Sequence, residues 1–136
     1  FEIDRDTFCT VLSICTEADL ERRLLAKGAI PEAEARAITR QVLSGLAYLS
    51  KHKVIHYDLK PANIMFDSTG QVRLTDFGLS RQLGEGAASK DAVQLSSVGA
   101  GTAWFAPPRR VDVWSMGVIL YEMLFGKRPY AQNLNQ

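Results

Sequence analysis

Residues 56–63 read His-Tyr-Asp-Leu-Lys-Pro-Ala-Asn, and residues 76–78 read Asp-Phe-Gly; together they indicate the fold more strongly than any other stretch. The first stretch holds a carboxylate, an amine and an amide in one loop, and the second adds another carboxylate. Magnesium prefers hard oxygen ligands, which carboxylates and amide carbonyls supply. The pattern therefore favours magnesium–phosphate chemistry, with one carboxylate kept free of metal to orient an attacking hydroxyl.

A hairpin is predicted between these two stretches. Asn63 to Phe66 and Val72 to Thr75 are short strand-like runs, and residues 67–70, Asp-Ser-Thr-Gly, have the composition of a turn. We therefore expect the first loop to be joined to Asp76 by two short antiparallel strands. Upstream, Val54 and Ile55 lead into the polar loop.

Two helices are expected before the loop. Ala18 to Ala26 has helical spacing and stops near Gly28. A longer helix begins at Pro31 and ends near Ser50. Its apolar residues recur at steps of three and four and predict one buried stripe, formed by Ala35, Ile38, Val42, Leu46 and Leu49.

The remaining chain predicts a strand, a loop and a third helix. Thr7 to Ile14 is rich in β-branched and aromatic residues, and Gln82 to Gly99 has no period. Asp112 to Phe125 has helical spacing and stops at Gly126, with one apolar side formed by Val113, Met116, Leu120 and Met123. This order of elements predicts an α+β domain that is mainly helical.

Composition is typical of one globular domain. The 136 residues are 46% hydrophobic and 23% charged, and 16 Lys and Arg nearly balance 15 Asp and Glu. This balance gives no reason to expect a nucleic-acid or membrane partner. The most apolar run, Val111 to Phe125, is too short to span a bilayer. Two cysteines cannot form a disulfide framework, which favours a reducing compartment. The chain starts without Met, so we expect it to begin inside a longer one.

In its motifs the chain resembles the eukaryotic protein kinases. The family pattern runs H-R-D-L-K-x-x-N, D-F-G, G-T-x-x-x-x-P-P-E and D-V-W-S-x-G. This sequence reads HYDLKPAN, DFGL, GTAWFAPP and DVWSMG in the same order. Tyr57 in place of the usual arginine, FCTVL near the start and GAGTAWFAPP look specifically like the tousled-like serine/threonine kinases. The resemblance implies ATP- and magnesium-dependent transfer of the γ-phosphate to a serine or threonine hydroxyl of a protein.

The resemblance also implies an architecture. Residues 1–136 would be a partial kinase domain, mostly the helical C-terminal lobe with the hinge and the catalytic-loop hairpin, and with the N-terminal lobe largely absent. The hinge would lie at about 12–19, the catalytic loop at 56–63, the activation segment at 76–108 and the core helix at 112–125.

Five residues match the family's catalytic and metal positions. Asp58 resembles the base that accepts the substrate hydroxyl proton, and Lys60 the residue that steadies the γ-phosphate. Asn63 and Asp76 resemble the magnesium ligands. Thr102 resembles the threonine whose hydroxyl braces the base and the lysine. Asp58, Asn63 and Asp76 could instead be ordinary turn and cap residues, and Lys60 could be a solvated surface lysine.

Five other residues match the family's nucleotide positions. Leu12 would be the gatekeeper, and the backbone groups of Ser13 and Cys15 would bond the adenine edge. Asp19 would contact the ribose, and Met65 would form the apolar floor under adenine. Leu12 and Met65 could also be ordinary core residues, since an adenine pocket is lined with such side chains.

Three more residues are expected to support the loop. Asp112 resembles the buried aspartate that receives backbone N–H groups of the catalytic loop, although it could simply cap its helix. His56 and Phe77 look like packing residues. Tyr57 lacks the charge with which the usual arginine grips an activation-loop phosphate, which suggests activity independent of that grip.

The chain also departs from the family pattern. Nothing in it matches the Gly-rich phosphate loop, the strand lysine or its glutamate partner. Arg109 stands where the family has glutamate, the connection from Pro108 to Asp112 is short by at least about eight residues relative to the family, and the helices beyond Pro129 are missing. We therefore expect these residues alone to be inactive and poorly soluble, because apolar faces would be left uncovered.

Other functions stay open at this point. A catalytically silent binding or scaffold module is compatible with the short connection after Pro108. A small-molecule phosphotransferase shares H-x-D-x-x-x-x-N, but Asp-Phe-Gly and GTAWFAPP argue against it. The kinase interpretation implies ATP and a protein substrate as partners, with no nucleic acid and no membrane. Resemblance to tousled-like kinases implies a nuclear location, and the oligomeric state is left open.

Overall fold

The computed structural model of the chain describes residues 2–4, 7–8, 11–82 and 111–130. It is a mixed structure of helices and small antiparallel sheets, as predicted. The elements in chain order are β1 (Glu2–Asp4), β2 (Thr7–Phe8), α1 (Leu20–Lys27), α2 (Glu32–Lys51), β3 (Val54–Ile55), a 3-10 turn (Pro61–Asn63), β4 (Ile64–Phe66), β5 (Val72–Leu74), β6 (Arg81–Gln82) and α3 (Val111–Phe125).

The long helix α2 is the centre of the described core. Its predicted stripe is confirmed: Ala35, Ile38, Val42 and Leu46 are buried, and Leu49 packs against them partly buried. Their spacing places them on one face, because side chains three and four residues apart share a helix face. The stripe contacts α3 and the β4–β5 hairpin, so these elements share one core.

The buried face of α3 differs from the prediction. Val113 was expected in the apolar stripe, yet its side chain is 56% exposed. The inward position at that level of the helix belongs to Asp112, followed at helical spacing by Met116, Ile119 and Met123. An apolar pattern cannot assign an inward position to a charged residue. The correction therefore marks Asp112 as a carboxylate that the fold buries for a contact of its own.

Helix α1 ends at Gly28 as predicted, and it begins at Leu20, two residues after the predicted start at Ala18. Asp19 is its N-cap, and one carboxylate oxygen accepts the backbone N–H of Arg22 at 2.9 Å. Gly28 ends the helix with φ +71°, and its N–H bonds the carbonyl of Leu24. The N-cap role commits part of the Asp19 side chain to the helix.

The predicted hairpin is confirmed as β4 and β5, with Ile64 opposite Leu74. Asp67 organises its turn: one carboxylate oxygen accepts the hydroxyl and backbone N–H of Thr69 and the N–H of Gln71. These bonds, the Thr69 hydroxyl first, hold the pKa of Asp67 far below its ordinary value. Asp67 is therefore a structural residue of the turn.

The strand predicted from Thr7 to Ile14 is shorter than expected. Thr7 to Ile14 was expected to be one strand, but β2 ends at Phe8, and residues 11–14 lie in neither helix nor strand. The side chains of Val11, Leu12 and Ile14 are exposed. Strand propensity reflects packing against neighbours, so β-branched residues without a covered face do not form a strand by themselves.

The short strand before the polar loop pairs with a later strand. Val54 and Ile55 form β3, which pairs antiparallel with β6, a contact that the sequence did not predict. The predicted loop at 82–99 lies, apart from Gln82, outside the described residues. In the described part of the chain, no helix has the length and apolarity needed to cross a membrane.

Gly126 is expected to tolerate a side chain less well than Gly70. It has φ +66°, and a Cβ there would lie 3.1 Å from the backbone nitrogen of Ala29. Gly70 has φ +77° with nothing within 4 Å of such a Cβ, so it reports the conformational penalty alone. We expect Gly70→Ala to lower the free energy of unfolding by about 1–2 kcal/mol and Gly126→Ala to lower it further. Urea denaturation of both variants tests this, and equal losses would contradict the backbone contact.

Candidate active site

The loop that precedes the 3-10 turn is anchored by Asp112. One carboxylate oxygen of Asp112 accepts the backbone N–H of His56 at 2.9 Å, and the other accepts that of Tyr57 at 3.0 Å. Asp112 is only 8% exposed, so these bonds form where water does not compete freely. The carboxylate joins α3 to the loop, and the alternative that Asp112 merely caps its own helix does not account for these contacts.

His56 fixes the loop from the other side. It is fully buried, and its Nδ1 accepts the backbone N–H of Asp58 at 3.3 Å. Its Nε2 lies 3.0 Å from the carbonyl oxygen of Thr75. Because Nδ1 accepts, Nε2 is the nitrogen that carries the proton and donates to Thr75. The ring also packs 4.9 Å from that of Phe77, in agreement with the packing role expected for both residues.

Tyr57 lies in the left-handed backbone region, with φ +65°. A bulky residue there is strained and persists only where its surroundings hold it. The bond from its N–H to Asp112 does so, and the Arg81 guanidinium lies 5.8 Å from the centre of its ring. Since Arg81 belongs to β6, this contact adds to the β3–β6 pairing near the loop.

The loop brings three of the predicted residues into direct contact. Lys60 Nζ donates to Asp58 Oδ2 at 2.7 Å, and Asn63 Nδ2 donates to the same oxygen at 3.1 Å. Asn63 Nδ2 also donates to the backbone carbonyl of Asp58 at 2.8 Å. Both side-chain bonds end on Oδ2, and neither uses Oδ1. One oxygen of Asp58 is thus oriented by its neighbours, and among the described residues neither of these side-chain bonds uses the other oxygen, which can accept a further proton donor.

Asp76 lies close enough to Lys60 for its charge to act on that ammonium group. The N–H of Thr75, its chain neighbour, donates to the carbonyl of Asn63 at 3.1 Å. Asp76 has φ +63°, and its Oδ1 accepts the N–H of Gly78 at 3.2 Å. Aspartate is among the residues that tolerate this backbone region best. The turn holds the exposed Asp76 carboxylate next to the loop of residues 56–63.

The pKa of Lys60 reports this convergence of charge. It is raised above the ordinary value of 10.5, chiefly by the hydrogen bond to Asp58, against an opposing effect of burial. The negative charges of Asp58, Asp76 and Glu21 raise the Lys60 pKa further. Both carboxylates of the two motifs therefore act on the same ammonium group, as they would in one shared site.

The donor set suits magnesium held together with a phosphate. The amide nitrogen of Asn63 is committed to Asp58, which leaves its carbonyl oxygen as the atom for a cation. Asp76 adds an exposed carboxylate. Within the described ranges, no group of three or more His, Cys, Asp and Glu side chains is arranged to hold a metal ion by itself. Magnesium at phosphate sites commonly uses one or two carboxylates and phosphate oxygens.

The predicted nucleotide residues lie on β4 and on residues 11–19. Met65 is in β4, half-buried, and the N–H of Glu17 reaches the carbonyl of Phe66 in the same strand at 3.4 Å. Cys15 is half-buried, whereas Ser13 is exposed. Leu12 is 74% exposed and lies outside the described core.

Some predicted features fall outside the described residues. Thr102 does, and so does the activation segment of 76–108 after Gln82.

The sequence did not predict two contributors to the site. Thr75 acts through its backbone, which no side-chain pattern reveals, and the Glu21 charge reaches Lys60 from α1. The latter could be found only by placing α1 beside the 3-10 turn.

Known protein kinase sequences are similar to this chain over its whole length. A sequence model of the family described as "Protein kinase domain" matches residues 1–136, the whole chain. The chain is 47% identical over 150 residues to serine/threonine-protein kinase TOUSLED of Arabidopsis thaliana, with all of this chain and 22% of that protein covered. It is 42% identical over 154 residues to serine/threonine-protein kinase tousled-like 1 of Homo sapiens, with all of this chain and 20% of that protein covered.

The chain is shorter than the region of its relatives that it matches. It spans about a fifth of the full length of these curated relatives. The alignment with the Arabidopsis protein has 150 positions and includes all 136 residues, so 14 positions have no residue in this chain. The short connection after Pro108 predicts such a shortened region. That the missing positions lie after Pro108 stays a prediction.

Proposed function

Because the chain belongs to the protein kinase family, we propose that it carries the catalytic residues of an ATP- and magnesium-dependent serine/threonine protein kinase. The reaction moves the γ-phosphate of ATP to a serine or threonine hydroxyl of a protein substrate. The observation that carries this proposal is the contact of Lys60 and Asn63 with one oxygen of Asp58, beside Asp76.

In this mechanism Asp58 orients the acceptor hydroxyl. Oδ2 is held by Lys60 and Asn63, so Oδ1 faces the substrate and accepts the proton as the new P–O bond forms. The bond between the γ-phosphorus and the bridging oxygen breaks, and ADP leaves. Phosphoryl transfer needs positioning and charge stabilisation more than covalent help from the protein. The fixed carboxylate supplies the positioning.

Lys60 supplies positive charge where negative charge collects on the transferred group. The family uses ATP with Mg²⁺, and the bound cation neutralises phosphate charge. Asn63 Oδ1 and the Asp76 carboxylate are the groups that we propose hold it. We propose that the adenosine part is bound by the backbone groups of Ser13 and Cys15 and by the side chains of Asp19 and Met65. Leu12 is proposed as the gatekeeper, and Thr102 as the brace of the loop.

The function is tested with the full-length protein, radiolabelled ATP and a general protein substrate such as casein or myelin basic protein. We expect magnesium-dependent label on serine and threonine, and a higher melting temperature with ATP and magnesium than with either alone. Label on small molecules only would contradict the proposal. A protein that neither transfers phosphate nor gains stability from ATP and magnesium would instead support a silent scaffold module.

The raised pKa of Lys60 predicts a flat pH dependence. A lysine whose pKa is raised keeps its charge, and the contribution of that charge, below its ordinary value of 10.5, and loses it only as pH rises past the raised value. We expect kcat to show no loss from Lys60 deprotonation between about pH 7 and 10. Lys60→Arg is the control, because arginine stays charged throughout. A decline in this range that Lys60→Arg abolishes would contradict the expectation.

A nuclear location is proposed only from the resemblance to tousled-like kinases. Imaging of the tagged full-length protein tests it, and a purely cytoplasmic signal would reject it.

A further inference from the structure

Residues 11–19 carry most of the groups proposed to bind the nucleotide, yet they contain no helix or strand. A segment without regular backbone bonding keeps its place through individual contacts. The backbone bond from Glu17 to Phe66, at 3.4 Å, is long for a hydrogen bond. Side-chain contacts must therefore contribute to holding this segment beside β4.

Arg23 of α1 joins the segment to two other elements. Its guanidinium is hydrogen-bonded and ion-paired with the Glu17 carboxylate. Its Nη1 lies 3.7 Å from Glu34 Oε1 in α2, and its central carbon lies 3.5 Å from the centre of the Phe66 ring. The Arg23 side chain is only 21% exposed. A planar cation held over an aromatic face and between two carboxylates has little freedom to move.

The contact of Arg23 with Phe66 lies on the strand that also carries Met65, a residue proposed to bind the nucleotide. Phe66 is 1% exposed and follows Met65 in β4, and neighbouring side chains of a strand point to opposite faces. Arg23 thus packs on one face of β4 while Met65 lies on the other. By holding Glu17, Arg23 sets how closely residues 11–19 approach the strand that carries Met65.

We infer that Arg23 is a positioning residue for ATP binding, an inference that rests on the proposed kinase function. Arg23 itself touches no reacting atom. The catalytic groups are held by other contacts, from Asp112 and His56 to the loop. Loss of Arg23 therefore affects the affinity for ATP and leaves the chemical step intact.

Steady-state kinetics of the full-length protein test this separation. For Arg23→Ala we expect the KM for ATP to rise roughly three- to tenfold, with kcat within about twofold of wild type. Glu17→Gln removes the same ion pair without touching the packing on Phe66, so it should raise the KM in the same direction. The double variant should be less than additive. The control is Arg36→Ala, which removes an exposed helix pair with Glu32 and should change neither parameter.

Hydrogen exchange supplies a readout that does not depend on kinase activity. We expect faster exchange at residues 15–19 in Arg23→Ala and Glu17→Gln, with residues 56–63 unchanged. Unchanged exchange at 15–19, or a fall in kcat at constant KM, would overturn the inference. Faster exchange in a protein whose wild type transfers no phosphate would refute the proposed function, while the positioning contact would stand.

Discussion

Asp58→Asn is expected to lower the kcat of phosphate transfer by the full-length protein roughly 10²- to 10⁴-fold, with little change in the KM for ATP. Asparagine keeps the size of the side chain but cannot accept the hydroxyl proton. Its amide oxygen can still accept from Lys60 or Asn63, so the loop should retain its shape. The loss therefore reports the removed base and not a collapsed loop.

Asp67→Asn is the matched control, since Asp67 is a carboxylate in the hairpin turn with bonds to Thr69, Gln71 and Arg73. We expect this variant to lose some stability and to keep its kcat when assayed well below its melting temperature. Equal kcat values for Asp58→Asn and wild type would remove Asp58 from the mechanism. Equal losses in Asp58→Asn and Asp67→Asn would show that the assay responds to stability alone.

The second large effect is expected at Asp112. Asp112→Ala leaves the backbone N–H groups of His56 and Tyr57 without their acceptor, and the first of these lies in a buried residue. An unsatisfied buried donor costs about 1–3 kcal/mol, so we expect a loss of about 2–5 kcal/mol in the free energy of unfolding. Because Tyr57 is held in a strained conformation, the loop should also relax and activity should fall.

Two further variants distinguish the role of the Asp112 carboxylate from a general effect of mutations in α3. Asp112→Asn keeps one acceptor oxygen and should lose less stability than Asp112→Ala. Val113→Ala changes the exposed neighbour in the same turn of α3 and should stay within about 0.5 kcal/mol of wild type. Denaturant unfolding with an activity assay measures all three. A loss at Asp112→Ala no larger than that at Val113→Ala would contradict the anchoring role.

The elements with strong local signals were predictable from the sequence. The stripe of α2 repeats over four turns, Gly28 and Gly126 end their helices with positive φ, and the Asp67 turn bonds its own backbone. Each of these depends on residues close together in the chain. Local physics therefore determined them, and the structure agrees.

The predictions of buried faces and strands failed where contacts between residues far apart in the chain determine the structure. Val113 was predicted inward because it is apolar, but the inward position belongs to Asp112, which binds a loop more than fifty residues away. Strand β3 exists because it pairs with β6, with Val54 opposite Gln82 and Ile55 opposite Arg81. Residues 11–14 have strand-forming side chains and no strand. No periodicity of the sequence contains such pairings.

The site shows the same division. The spacing of Asp58, Lys60 and Asn63 predicted residues that the structure brings into contact, because they share one short loop. The approach of Asp76 depends on the hairpin, which local turn chemistry also predicts. The contribution of Arg23 was not predictable, since it comes from an ion pair and a ring contact that join three elements.

The most direct measurement is a crystal structure of the full-length protein with a non-hydrolysable ATP analogue and magnesium. We expect a cation at about 2.0–2.1 Å from Asn63 Oδ1 and an Asp76 carboxylate oxygen, the usual distance for magnesium. The terminal phosphate should lie next to Lys60, with Asp58 Oδ1 facing the open side of that phosphate. A nucleotide bound elsewhere, or a cation that contacts neither Asn63 nor Asp76, would contradict a single phosphate-transfer site built from these four residues.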